Sequence, residues 1–174
     1  FATTLSSEGV KVGTVEHLLA ALSGLNIDNI FIEIDGPEVP IMDGSSLPYI
    51  SKILEAGIAK QAKTVNFIRI LEPIAVTEGP CQIAVTPYDG TRITYRVFYT
   101  HPAFGEQKMG IDITTMNFIN ELAPARTFGF LRDVEMLKSQ GLARGGSLDN
   151  AIVLGDKEVI NGGELRFKDE FVRH

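Results

Sequence analysis

Apolar and polar positions along this chain change period several times, and each change predicts an element. Residues 15–23 (Val-Glu-His-Leu-Leu-Ala-Ala-Leu-Ser) lie between Thr14, a good N-cap, and Gly24, a good helix stop, and predict a helix. Val10-Lys11-Val12 before it reads as the end of a short strand. Ile27–Ile34 alternates apolar and polar positions with many β-branched residues, which predicts a strand. A turn-rich loop, 35–46, then leads into a second helix ending near Gly57. Beyond a polar break at 59–64, four strand-like runs (67–70, 74–77, 82–86 and 92–99) are separated by Pro73, Gly79-Pro80 and Asp89-Gly90. The last two breaks read as hairpin turns. Met109–Ile113 is a fifth strand candidate, followed by a short helix over 114–122 and an irregular stretch over 124–130. A helix to about Gln140, strands at 150–154 and 158–160, and a helix opening at Lys168-Asp169-Glu170 complete the pattern. Mixed strands and helices of this kind predict an α+β fold. The expected architecture is two similar units, each a small sheet layered with two helices, sharing a cleft. Residues 1–63 form the first unit and 64–174 the second, and both are expected to be incomplete.

Composition narrows the class without changing that outline. The chain has 174 residues, 44% of them hydrophobic and 22% charged, ordinary values for a globular protein. Its 16 basic and 22 acidic residues give a net charge of −6, which argues against a nucleic-acid partner. A single cysteine, Cys81, excludes an internal disulfide framework and fits a reducing, cytoplasmic setting. Cys81 itself is expected to be a packing residue. No apolar run approaches the length of a membrane span. Phe1 and His174 both read as cut ends of something longer.

The candidate chemistry begins at Glu16-His17, a carboxylate beside an imidazole at the start of an apolar helix. Burying either one unpaired costs roughly several kcal/mol, so their presence needs a reason. Adjacent helical residues diverge by about 100°, so the two need not compete for one coordination position. The pair suits a hydrolytic zinc site in which His binds the metal and Glu takes a proton from water. The alternative is plainer: Thr14 caps the helix, Glu16 favours its positive end and His17 is an ordinary polar neighbour. His101, between Thr100 and Pro102, reads as a loop or capping residue. His174 occupies a place on its helix similar to that of His17, but spacing cannot show that the two converge. Lys138, Arg144 and Arg166 read as solvated, with diphosphate as the other reading. Asp43 reads as a structural residue in a turn.

Five blocks in register then resemble one family. They are Thr14–Leu22, Gly36–Ser45, Ala125–Phe130, Gly141–Ser147 and Asp169–His174, and together they span essentially the whole chain. The family is LpxC, the zinc-dependent UDP-3-O-acyl-N-acetylglucosamine deacetylases of lipid A biosynthesis. The resemblance favours the chemical reading of Glu16-His17 over the plain one. It implies His17 and His174 as zinc ligands, Glu16 as general base and Thr127 as the hydroxyl that stabilises the oxyanion. It also implies that Phe128 contacts substrate. Phe130, Val134 and Leu137 recur at helical spacing, an ordinary packing face that the family uses to border a passage for the 3-O-acyl chain. Gly145 and Gly146 would leave room there for methylenes.

The family's third zinc ligand, an aspartate, and its general acid, a histidine, follow the second ligand histidine and so lie beyond residue 174. The fragment by itself is therefore expected to be inactive. The implied substrate is UDP-3-O-acyl-N-acetylglucosamine, the cofactor Zn²⁺, and the protein a monomer in the cytoplasm with no transmembrane segment. Another zinc amidohydrolase, or a silent fold that binds an acyl or nucleotide ligand, remains as the alternative.

Overall fold

The computed structural model describes residues 2–139, 146–161 and 164–174. Glu8 and Gly9 both adopt positive φ (50° and 83°), which lets the chain reverse in two residues. That turn pairs β1 (Leu5–Ser7) antiparallel with β2 (Val10–Val12), Ser7 lying opposite Val10. Only β2 was expected, because Glu at the first turn position carries no hairpin signal.

After β2 the backbone exchanges hydrogen bonds with the following loop. The Gly13 N–H donates to Pro37 (2.9 Å) and the Val39 N–H to the Gly13 carbonyl (3.0 Å). Thr14 then takes a φ of +55°, a left-handed conformation that a β-branched residue rarely adopts. Its hydroxyl donates to the Glu38 carboxylate rather than capping the helix, and Val15 occupies the N-cap with no side-chain bond. The expected capping role of Thr14 is thus replaced by a tie to the loop.

Helix α1 (Glu16–Gly24) buries Ala21, and α2 (Leu47–Ala56) buries Ile50 against it. Gly57, at φ +85°, ends α2 as expected. The residues closing this core come from far along the chain: Ala123 is buried with Ala21, Leu25 and Ile50, and Phe118 and Ile119 pack on them. The first core therefore draws on both expected units.

In the second half, β3 (Ile74–Glu78) and β4 (Cys81–Val85) form a hairpin across Gly79-Pro80. Strands β5 (Arg92–Tyr99) and β6 (Gly105–Asp112) form a longer one, with β6 starting several residues before the expected Met109. Asp89-Gly90 turns the chain, but β4 and β5 do not pair, so the hairpin expected there is absent. Next come a short helix α3 (Thr115–Asn117), capped by the Thr114 hydroxyl, and a π-helical turn, Phe118–Leu122. The stretch expected to be irregular ends in β7 (Phe128–Phe130), which pairs parallel with β8 (Ile152–Leu154) across α4 (Leu131–Ser139). Of the predicted strand at 158–160, a single bridge between Val159 and Leu154 forms. Helix α5 (Glu170–Arg173) closes the chain. A second core gathers Phe104, Ile152, Leu154 and Phe171, with the ring of Phe104 stacked on Phe171 at 4.5 Å.

The architecture is α+β; the described residues form four two-stranded sheets with helices and no closed barrel. Two predicted strands, 27–34 and 67–70, form no strand and are mostly exposed; Phe31 is 102% exposed. Alternation makes a strand only where a neighbour accepts its ladder hydrogen bonds, and no described strand lies beside either segment. Cys81 departs from expectation too: it is an exposed free thiol on a paired hairpin whose strand residues are all exposed, so there is no core for it to pack into.

Candidate active site

The first turn of α1 carries the chemical pair. His17 is buried at 4% exposure, whereas Glu16 is half-buried and accepts a hydrogen bond from the Thr3 N–H (3.0 Å) through Oε2. The strained Thr14 is what aims this turn. A left-handed β-branched residue costs on the order of 1–3 kcal/mol, and here it is held by the Glu38 bond and the bridge at Gly13.

The far end of the chain comes to the same place. The rings of His17 and His174 are 5.1 Å apart between centroids, inclined at 66°. Both line a cavity of about 400 Å³, with Glu16, Ala125, Val172 and Arg173 around them. Its apolar wall comes from β5 and β6, through Ile93, Tyr95, Met109 and Ile111, and from Phe118 and Leu122.

Both ring nitrogens of His17 are buried and have no hydrogen-bond partner among the described residues. A buried polar group left so costs roughly 1–3 kcal/mol. Burial lowers its pKa, against smaller opposing effects of the Glu16 and Asp43 carboxylates, so the ring is a neutral imidazole with a lone pair to give. His174 is lowered as well, first by desolvation of its ring and then by the neighbouring His17, although the residue as a whole is exposed. Its Nδ1 faces the Ala125 carbonyl at 3.3 Å; the carbonyl only accepts, so Nδ1 carries the proton and Nε2 is left as the donor atom. Two neutral imidazoles, one of them wholly unpartnered, match half the donor set of a tetrahedral metal site. Among the described residues no cluster of three or more His, Cys, Asp or Glu is placed to hold a metal ion.

The other candidates are placed as follows. Thr127 lies two residues beyond Ala125; its N–H donates to Gly44 (2.7 Å) and its carbonyl accepts from Ile152 (2.8 Å). The wall beside His174 is formed by Ala125, and Thr127 does not line the cavity. Phe128 packs into the second core against Phe104 and Phe171, at 5.4 and 5.1 Å. Phe130 turns to a separate cavity with Tyr99, His101 and Arg132. Val134 is half-buried on α4, close behind Gly129, and Gly146 is half-buried. The side chains of Leu137 and Lys138, and all of Gly141, Arg144 and Gly145, lie outside the described residues. His101 has the loop role expected of it: Nδ1 accepts from the Ala103 N–H (3.2 Å), which leaves Nε2–H to donate to the Gly155 carbonyl (2.8 Å).

Charged residues tie these segments together. Asp43 accepts from the N–H and hydroxyl of Ser45 and pairs with Arg166 at 2.9 Å. Burial disfavours its ionised form, but the hydrogen bonds from Ser45 and Arg166 prevail and lower its pKa. This fits the structural reading of Asp43, and Arg166, exposed as expected, is also paired. Glu170, fully buried, accepts from the backbone and side chain of Arg126 and the backbone of Arg166. Burial opposes its ionisation too, yet those bonds, led by the Arg126 side chain, hold its pKa below the usual value. The signal available in the sequence was a charged residue, Glu170, directly beside the apolar pair Phe171-Val172.

A family model described as LpxC, UDP-3-O-acyl N-acetylglycosamine deacetylase, matches residues 1–174. A protein of Thermodesulfovibrio yellowstonii named UDP-3-O-acyl-N-acetylglucosamine deacetylase is 55% identical over 174 residues, which are 100% of this chain and 59% of that protein. Proteins of the same name from Nitratidesulfovibrio vulgaris and Histophilus somni are 54% and 50% identical, covering 99% and 98% of the chain and 56% of each relative. The chain thus spans under three-fifths of the length of these relatives.

Proposed function

The chain belongs to the LpxC family of UDP-3-O-acyl N-acetylglycosamine deacetylases, and from that premise we propose that the whole protein hydrolyses the N-acetyl group of a UDP-3-O-acyl-N-acetylglucosamine in lipid A biosynthesis. The observation that carries the reading is the meeting of His17 and His174, 157 positions apart, with both nitrogens of His17 buried and unpartnered. On this reading the two histidines hold a zinc ion, which when bound polarises the amide carbonyl and makes water more acidic. Glu16, beside His17 and half-buried at the cavity, takes the proton from the attacking water. Thr127 donates its hydroxyl to the developing oxyanion, and its backbone bonds to Gly44 and Ile152 support that role by fixing where the residue stands. The C–N bond of the acetamide breaks as the departing nitrogen takes a proton from the histidine that the family places beyond residue 174, giving acetate and a free amine.

The apolar lining of Phe130 and Val134 serves the 3-O-acyl chain in this reading, each buried methylene contributing about 0.8 kcal/mol. Phe128, half-buried against the second core, contacts substrate in this reading. The division at residues 63/64 marks two catalytic halves, the first carrying Glu16 and His17 and the second Thr127 and His174. A cytoplasmic monomer completes the proposal; no helix among the described residues is long and apolar enough to cross a membrane.

The test uses the full-length protein containing this chain. Incubated with UDP-3-O-acyl-N-acetylglucosamine, it should release acetate and free amine in equal amounts. A chelator should abolish the release and added zinc restore it. Release unaffected by complete metal removal would contradict the reading.

A further inference from the structure

We infer that Glu170, gripped by Arg126 and Arg166, is a positioning residue that sets the proposed metal ligand His174 and the proposed oxyanion donor Thr127 as one unit. The inference deepens the deacetylase reading and rests on it. Helix α5 is a single turn, Glu170–Arg173, and a turn of that length does not hold its own direction. Phe171 seats it in the second core, and its first side chain ties it to the segment before Thr127. Glu170 Oε1 accepts from both the N–H and the Nε of Arg126, each at 2.9 Å, and Oε2 accepts from the Arg166 N–H at 2.6 Å.

Arg126 stands between Ala125 and Thr127 in the chain. Ala125 presents its carbonyl to the His174 ring, so orienting that peptide orients the imidazole and selects its tautomer. On the other side, Thr127 is anchored to Gly44. Arg166 extends the grip by reaching the Pro124 carbonyl (2.8 Å) and the Asp43 carboxylate (2.9 Å). One buried carboxylate therefore restrains the start of the helix that His174 follows and the segment leading to Thr127. A guanidinium fits this job where an ammonium does not, because its fork engages two acceptor positions in a fixed plane.

The experiment compares full-length wild type with Arg126→Lys and Glu170→Gln, reading zinc affinity by chelator competition, kcat and KM separately, and melting temperature. Both variants should bind zinc about 10–100-fold more weakly, the range typical of groups that orient a ligand. With zinc saturating, kcat should fall by about tenfold or more while KM changes little. Asp43→Asn, at the half-exposed end of the network, is the third variant. It should show the same pattern more weakly, and it supplies the comparison if the buried variants do not fold. A lower melting temperature with zinc affinity and kcat both within about twofold of wild type would overturn the inference, since that is the result of a purely structural tie. Wild type that neither binds zinc nor turns over substrate would overturn the deacetylase reading instead, so the two failures are distinguishable.

Discussion

Replacing Gly44 with alanine should be among the most damaging one-carbon changes in this protein. Gly44 has a φ of +83°, and a Cβ added there would lie 2.0 Å from the Asn150 carbonyl oxygen and 3.3 Å from Thr127 Cγ2. The left-handed conformation costs about 1–2 kcal/mol for a residue with a side chain. Forcing a carbon against backbone adds about 1–3 kcal/mol, because a carbonyl cannot swing aside as a side chain does. The sum is about 2–5 kcal/mol, which at about 2–4 °C per kcal/mol lowers Tm by about 4–20 °C. Gly24 is the comparison: its added Cβ would fall 2.1 Å from Phe118 Cδ1 and 2.5 Å from its Cγ, so the whole side chain must shift, but it is side chain rather than backbone, and φ there is not positive. Gly24→Ala should therefore cost less. Thermal unfolding of the two full-length variants, followed by circular dichroism, makes the comparison. A Gly44→Ala Tm equal to wild type, or above that of Gly24→Ala, would refute the reasoning.

Two further outcomes follow from the core and the buried charges. Phe171→Ala should destabilise by about 3–5 kcal/mol, as expected for removing a buried aromatic ring stacked on another, read from the denaturation midpoint. Glu170 has a depressed pKa, so the folded state binds fewer protons than the unfolded state around it. Its contribution is complete above the unfolded value of 4.5 and is lost as pH falls through the lower folded value. The gap in urea midpoint between wild type and Glu170→Gln should accordingly be widest near neutral pH and close on acidification below 4.5; a gap independent of pH would show that the charge is not what stabilises.

Local signals made much of this fold legible. The apolar run after Thr14 and the stops at Gly24 and Gly57 placed α1 and α2, and Gly79-Pro80 placed the β3–β4 hairpin, because each depends on neighbours in sequence. Ile27–Ile34 failed because a strand is a relation between two segments and alternation describes only one of them. Thr14 failed as a cap because a distant carboxylate, Glu38, took its hydroxyl. The site divides in the same way. Glu16-His17 was visible as an ionisable pair in an apolar helix, but nothing in the spacing brought His174 to it; a family resemblance did. The Arg126–Glu170 pair stayed hidden because a charged residue looks the same in sequence whether it faces water or a buried partner.

The central claim is that His17 holds a metal while Glu16, one residue away, moves a proton. Zinc content and turnover measured together on full-length wild type, Glu16→Ala and His17→Ala test it most directly. Glu16→Ala should keep its zinc and lose turnover by about 10²-fold or more, the scale for removing a general base. His17→Ala should lose the metal and the activity together. Equal loss of zinc from both variants would make Glu16 a ligand, and full zinc in His17→Ala would remove the metal from this site altogether.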